Sequence, residues 1–313
     1  MNSPFKVVFM GTPDFAVPAL KALKEYGCEV SLVVTQPDKP KGRGRKRTPP
    51  PVKVAAAEFG FPVVQPDSVK TEDFYHQIRQ IAPDLLVVVA SGHVLPQKIL
   101  EIPAWGTINV HASLLPKYRG PAPIQWAIIN GETETGVTTM LMDKGLDTGE
   151  ILLASKTPIF PEDTAETLHD RLAGLGAEAL KQTLTGLRTR SLRPIPQNHS
   201  LATYAPLLSK NHGRIDWSRS AHHIERFIRG MTPWPGAYTF WDEKRLRIFR
   251  AEIRSMAGGD VPGRVMEGNS QALTIATGEG VLSITEIQGS SGKRMPVGDF
   301  LRGCQIPAGA VFR

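Results

Sequence analysis

The sequence predicts a doubly wound, mostly parallel α/β sheet followed by a small β-barrel. Three observations carry this. Short β-rich runs alternate with amphipathic stretches of helical spacing as far as Leu184, the pattern of successive βα units. Residues 84–90, Asp-Leu-Leu-Val-Val-Val-Ala, are apolar almost throughout, as a strand covered on both faces must be. Beyond Ala237, short strand-like runs recur about ten residues apart between turn signals, which suits a small barrel. A chain of 313 residues also favours two domains over one, at roughly 100–200 residues each.

The elements follow in order. Phe5–Met10 is a strand ending at Gly11, and Phe15–Tyr26 is an amphipathic helix. Val30–Thr35 is the next strand, Val52–Phe59 a helix and Pro62–Val64 a short strand. Phe74–Ile81 is helical and leads through Pro83 into the apolar strand. Thr107–His111 is a strand, Ile124–Asn130 a helix, and Gly136–Met142 and Glu150–Ile159 are strands flanking a turn. Leu168, Leu172, Leu175, Leu180 and Leu184 put one long helix over 164–184. Composition then shifts to Arg, Pro, Ser and Asn, as in a linker. Past it, a helix capped by Ser220 runs to Gly230 and Pro233, which stop it. Ala237–Trp241, Leu246–Glu252, Leu273–Ala276 and Val281–Ile287 are the strands of the barrel. The expected division is a first domain over 1–188, a linker over 189–208 and a second domain over 209–313.

Composition excludes several classes. No run reaches the roughly 18 apolar residues that span a bilayer. Hydrophobic residues at 41% and charged residues at 21% exclude a wholly disordered chain. The N-terminal residues carry neither a secretory apolar region nor an Arg-rich presequence, so a reducing cytoplasm is the expected compartment. Cys28 and Cys304 lie far apart without a His at zinc spacing, so neither a disulfide framework nor a metal is expected. With no evident oligomerisation element, a monomer is expected.

The net charge of +7 is unevenly spread. Between 36 and 53, Lys39, Lys41, Arg43, Arg45, Lys46, Arg47 and Lys53 face only Asp38. The C-terminal third is also basic. Two positive surfaces on a near-neutral body point to a polyanion, nucleic acid first.

Two segments can carry chemistry. In Asn109-Val110-His111, the outer residues are two apart and share one face of a strand, at its C-terminal end. Open α/β sheets bind ligands in the crevice there. An amide beside an imidazole can hold a developing oxyanion, and the imidazole can move a proton near neutral pH. The second segment, 143–149, holds Asp143 and Asp147 among glycines. A turn alone explains Asp143, Gly145 and Gly149. Either carboxylate could orient His111, and spacing does not choose between them. Gly11-Thr12-Pro13-Asp14-Phe15 is not a dinucleotide fingerprint, and Gly42-Arg43-Gly44 lacks the end of a P-loop. His222 and His223 point about 100° apart on a helix, which is poor for one metal. Trp234-Pro235-Gly236 is rigid and aromatic, and reads as packing at the domain junction rather than as a base-stacking platform.

With these residues in view, the chain resembles the folate-dependent formyltransferase superfamily. The resemblance rests on Gly11–Phe15, Gln36–Pro40, Asn109–His111 running into Ser113–Pro116, and Tyr118–Gly120 with Pro121–Gln125. It continues through Asp143–Gly149, Arg214–Trp217 and Pro233–Pro235, collinear over nearly the whole chain. The basic loop and the C-terminal region resemble the branch that acts on tRNA. The resemblance implies a Rossmann-like catalytic domain and an OB-like C-terminal barrel. It implies 10-formyltetrahydrofolate as formyl donor and the α-amino group of methionine on initiator methionyl-tRNA as acceptor, in translation initiation. Asn109, His111 and Asp147 match the catalytic triad. Ser113, Leu114, Leu115 and Pro116 match the folate-binding segment, with Gly92 and His93 bordering the pterin pocket. Lys39, Lys41, Arg43, Arg45, Lys46 and Arg47 match the loop that enters the acceptor stem. The chain departs from the pattern at Ser91, usually Tyr, and at His93, usually aliphatic. The rivals are a 10-formyltetrahydrofolate hydrolase, an amine formyltransferase for sugar nucleotides, and a non-catalytic RNA-binding protein on the same scaffold. The basic loop weighs against the first two, and the intact Asn, His and Asp against the third.

Overall fold

A computed structural model of the protein describes residues 3–41, 46–254, 260–268, 272–290 and 292–313. In chain order the elements are β1 (Lys6–Gly11), α1 (Val17–Glu25), β2 (Glu29–Val34), β3 (Lys39–Lys41), β4 (Lys46–Thr48), α2 (Pro51–Phe59) and β5 (Val63–Val64). Then come α3 (Glu72–Ile81), β6 (Leu85–Val89), α4 (Gln97–Leu100), β7 (Thr107–His111), α5 (Pro123–Ile129), β8 (Glu134–Leu141), β9 (Ile151–Pro158) and α6 (Ala165–Arg188). The last are α7 (Ala221–Met231), β10 (Ala237–Trp241), β11 (Lys244–Arg254), β12 (Val265–Gly268), β13 (Leu273–Ala276), β14 (Val281–Gln288), β15 (Met295–Pro296) and α8 (Val297–Gly303).

The chain divides into two compact units that alternate along the sequence. The first comprises Met1–Gly120, Glu134–Pro158 and His169–Ala205. It holds a seven-stranded sheet in the order β5-β2-β1-β6-β7-β8-β9. Pairs through β7 are parallel; β8 and β9 are antiparallel. Every residue of β6 is buried, which explains its unbroken apolar run. The parallel pairing puts the C-terminal ends of β1, β6 and β7 side by side, with Val88 paired to Asn109. Local signals fix the helix ends. Thr71 caps α3 by accepting from the Phe74 N–H at 3.3 Å, and α2 ends at the left-handed Gly60.

The second unit comprises Pro121–Thr133, Ile159–Leu168 and Pro206–Arg313. Its sheet is antiparallel, in the order β10-β11-β14-β13-β12 with β15 on β14, a half-barrel. The core beneath it joins Ile224, Ile228 and Met231 of α7 to Leu246, Ile275 and Ile284, with Ile129 of α5 in the same cluster. Ser220 caps α7 as the sequence predicts. Gly230 does not stop the helix; it lies inside the last turn, and a Cβ there would come within 2.6 Å of Ile129 Cγ1. The glycine therefore permits close approach of α5 and α7. Trp234, expected to pack, is 49% exposed.

Candidate active site

Asn109 and His111 lie at the C-terminal end of β7 and are both buried. His111 Nε2 is 2.9 Å from the carbonyl oxygen of Tyr118. A carbonyl only accepts, so Nε2 carries the proton. That bond fixes the ring and turns Nδ1 toward Asp147, whose Oδ2 is 3.7 Å away. From sequence, the orienting role falls to an aspartate. Here the backbone of Tyr118 holds the ring, and Asp147 stands at ion-pair range beyond hydrogen-bond contact. Asp147 Oδ1 is also 3.5 Å from Asn109 Nδ2, a long contact that leaves most of the amide's donor capacity unspent. Of the two candidate aspartates, Asp147 is the one beside His111. Asp143 accepts from Gly145 N–H and Thr148 Oγ1, closing its own turn.

Asp147 is itself held. Its Oδ2 accepts from Gly120 N–H at 2.8 Å, and its backbone has φ of 53°, in the left-handed region. Gly120 has φ of 114°, and a Cβ there would sit 2.8 Å from the Ala205 carbonyl. Only glycine fits both its conformation and that approach. Tyr118, with φ of 59°, completes the turn that presents its carbonyl to His111. Sequence reasoning misses Arg119, Gly120, Gln197 and Thr203 as site residues. Tyr118–Gly120 lies within a resembling segment, but Gln197 and Thr203 fall in the linker-like stretch and carry no signal.

The expected folate segment leaves β7 directly. Ser113 is buried and donates through Oγ to the Lys117 carbonyl at 2.7 Å, so its hydroxyl shapes the turn. Thr138 Oγ1 donates to the Ser113 carbonyl and accepts from Leu115 N–H, clamping the segment to β8. Leu115 is buried, while Leu114 and Pro116 are half-buried with apolar surface to offer.

Gly92 and His93 lie after β6, on the same C-terminal edge. Thr12 Oγ1 donates to the Ser91 carbonyl at 2.9 Å and accepts from Gln36 N–H, and Gln36 Nε2 donates to the Gly92 carbonyl. His93 is half-buried, and its Nε2 is buried without a hydrogen-bond partner among the described residues. Burial, and secondarily Lys39, push its imidazole below its ordinary pKa.

The basic run, a loop by its sequence pattern, forms a hairpin. β3 and β4 pair antiparallel, Lys39 with Thr48 and Lys41 with Lys46. Arg43 and Arg45 lie outside the described residues. Lys39 donates to Gln36 Oε1, and Lys53 is bound to both Asp38 oxygens at 2.9 Å. Lys53, then Gln65, hold the Asp38 carboxyl below its usual range. Beside the hairpin, a cavity of about 620 Å³ is bordered by Thr12, Gln36, Pro37, Lys39, Pro50 and Val54. Among the described residues no group of His, Cys, Asp and Glu could hold a metal, and no helix is long and apolar enough to cross a membrane. Burial pushes the Cys28 thiol up to about 11, so it is no ready nucleophile.

An amide, an imidazole and a carboxylate thus converge at the C-terminal edge of the parallel strands. The family comparison supplies the reaction. Residues 5–184 match the formyl transferase family, and 207–305 match the formyl transferase C-terminal domain. A methionyl-tRNA formyltransferase of Citrifermentans bemidjiense is 51% identical over 98% of this chain and 96% of its own length. An N-formyltransferase from Helicobacter canadensis, in complex with folinic acid and dTDP-3-aminofucose, superposes with a TM-score of 0.68 at 19% identity. It covers 93% of this chain and 100% of that one. HypX from Aquifex aeolicus in complex with tetrahydrofolic acid gives a TM-score of 0.64 at 19% identity over 99% of this chain, which spans about half (51%) of that longer protein. These two share the fold. The chain belongs to the methionyl-tRNA formyltransferase family.

Proposed function

We propose that this chain transfers the formyl group of 10-formyltetrahydrofolate to the α-amino group of methionine on initiator methionyl-tRNA. The observation that carries the reading is the convergence of Asn109, His111 and Asp147 at the end of β7. We further propose residues 1–188 as the catalytic domain, 189–208 as the connection and 209–313 as a tRNA-binding domain.

The residues present fit such a donor. His93 offers a buried ring nitrogen without a partner among the described residues, suited to a polar heterocycle, and Leu114 and Pro116 offer apolar faces. When bound, the donor supplies a formyl carbon already activated on nitrogen, so no protein nucleophile is required. Asn109 Nδ2 donates to the oxygen that becomes negative as the amine adds to that carbon. His111, protonated at Nδ1, adds positive charge beside the same oxygen while Nε2 stays on Tyr118. Asp147 takes the proton that the amine loses as the new C–N bond forms. The old carbon–nitrogen bond then breaks, and a proton returns to the released nitrogen, so the transfer is proton-neutral overall. Lys39, Lys41, Arg43, Arg45, Lys46 and Arg47 bind phosphates of the acceptor stem.

The test is transfer from 10-formyltetrahydrofolate to methionyl initiator tRNA, against methionyl elongator tRNA and a control without tRNA. Transfer to the initiator alone is expected. Donor consumption without tRNA would instead mark a hydrolase, and no consumption with any acceptor would mark a non-catalytic binder.

A further inference from the structure

Residues 189–208 read as a connecting stretch, yet one polar side chain within it is buried. Gln197 is 7% exposed, while its neighbours from 193 to 196 and from 198 to 201 are exposed. Its Nε2 donates to the carbonyls of Asp147 at 2.9 Å and Gly149 at 2.7 Å. Its Oε1 accepts from Arg119 Nε at 3.2 Å and Nη2 at 2.7 Å. Both donors and both lone pairs of the amide are therefore in use. Arg119 is 2% exposed, and its Nη2 also meets Nδ1 of His199 at 3.1 Å.

The same segment grips the other side of the site. Thr203 Oγ1 accepts from Tyr118 N–H at 2.8 Å and its carbonyl from Arg119 N–H at 2.9 Å. Ala205 N–H donates to the Arg119 carbonyl at 2.7 Å. Tyr118 holds His111, and Gly120 holds the Asp147 carboxylate. Tyr118 and Asp147 both sit at positive φ, a conformation that persists in such residues only where the surroundings over-determine it. The segment supplies that surrounding from both sides.

We propose that residues 197–205 are a strap that sets the distance between His111 and Asp147, with Gln197 and Arg119 as positioning residues. The proposal rests on the reading of His111 and Asp147 as catalytic. The deciding variant is Gln197→Glu. Its carboxylate still pairs with Arg119 but cannot donate to the Asp147 and Gly149 carbonyls. If Gln197 served only to accept hydrogen bonds from a buried guanidinium, Glu would substitute for it. The strap predicts the opposite. In Gln197→Glu, kcat falls about 10–100-fold, the cost of a misplacement near 1 Å. KM for donor and tRNA stays within about twofold, and the variant remains folded at the assay temperature although its melting temperature falls. Gln197→Ala and Thr203→Val lose kcat in the same sense, and Gln197→Glu decides the matter should either fail to fold. A folded Gln197→Glu with native kcat overturns the strap. The imidazole nitrogen resonances of His111 give a readout independent of turnover. They shift in Gln197→Glu if the strap holds and stay unmoved if it does not. Absence of transfer by the native chain would sink the functional reading alone.

Discussion

Two regions of the first unit use polar residues in opposite ways. At the end of β7, polar groups are buried and bound to one another. Arg119, Gln197, Gly120 and Asp147 are tied by bonds of 2.7–3.2 Å. At the β3–β4 hairpin the described charges of Lys39 and Arg47 are exposed, and Lys39 donates to Gln36. Preorganised dipoles act at the reacting atoms because they need not rearrange as charge develops. Exposed charges act at a distance, are screened by salt and set encounter and binding. The first region should therefore govern kcat and the second the KM for tRNA.

The largest expected effect breaks the first region. Asn109→Ala or His111→Ala should lower kcat about 10²–10³-fold, or roughly 3–4 kcal/mol of barrier, as loss of one oxyanion donor does. Single-turnover rates at saturating tRNA measure this directly. Near-native turnover in either variant would remove the residue from the reaction and leave the comparison without its catalytic half.

Next in size is the hairpin. Replacing Arg43, Arg45, Lys46 and Arg47 together with alanine should leave kcat near native and raise KM for tRNA. The slope of log affinity against log salt should flatten by about 0.7–0.9 for each phosphate no longer neutralised. An unchanged slope would show that these residues do not meet phosphates.

How much of this is legible in the sequence follows from where each signal lives. Strands such as Leu85–Val89 and helices such as Ala221–Met231 announce themselves by local patterning, because burial dictates residue type at neighbouring positions. Asn109 and His111 are legible for the same reason: their spacing on a strand is local. That Asp147, and not Asp143, faces His111 is a matter of turn geometry; from sequence only the family resemblance chooses it. Gln197 is invisible, since its partners are two carbonyls about fifty positions back and an arginine 78 positions away. Backbone carbonyls have no residue type to read. The interleaving of 121–133 and 159–168 with the C-terminal region is hidden likewise, because the close approach of Gly230 to Ile129 is tertiary.

A smaller effect sharpens the comparison within the hairpin region itself. Lys53 counts among its seven bases, yet its ammonium is held by both Asp38 oxygens. Lys53→Gln should therefore change the salt slope of tRNA binding little beside Arg47→Gln. Its effect should appear in acid instead. Asp38, held by Lys53, has a folded pKa below its unfolded one, so the pair's contribution is present above the unfolded value. It fades as pH falls through the lowered folded value. Thermal melts from about pH 6 down to about pH 3, a range that brackets the ordinary carboxylate value, would show a weaker acid dependence in Lys53→Gln. An equal loss of salt slope in the two variants would mean that Lys53 leaves Asp38 for the nucleic acid.

The smallest effect concerns His93, which belongs to neither region's rule: it is half-buried, and its Nε2 lacks a partner among the described residues. Burial and then Lys39 lower its pKa, so the unfolded chain takes up the proton first. Stability should fall as pH drops from about 6.5, the unfolded value, toward the lower folded one. His93→Leu removes that titration and should flatten the melting temperature over the same window. Bound 10-formyltetrahydrofolate sharpens the test. If the ring nitrogen meets the donor, native donor affinity should depend on pH there, and the dependence should vanish in His93→Leu. A native affinity that does not vary across the window would place His93 outside the donor site.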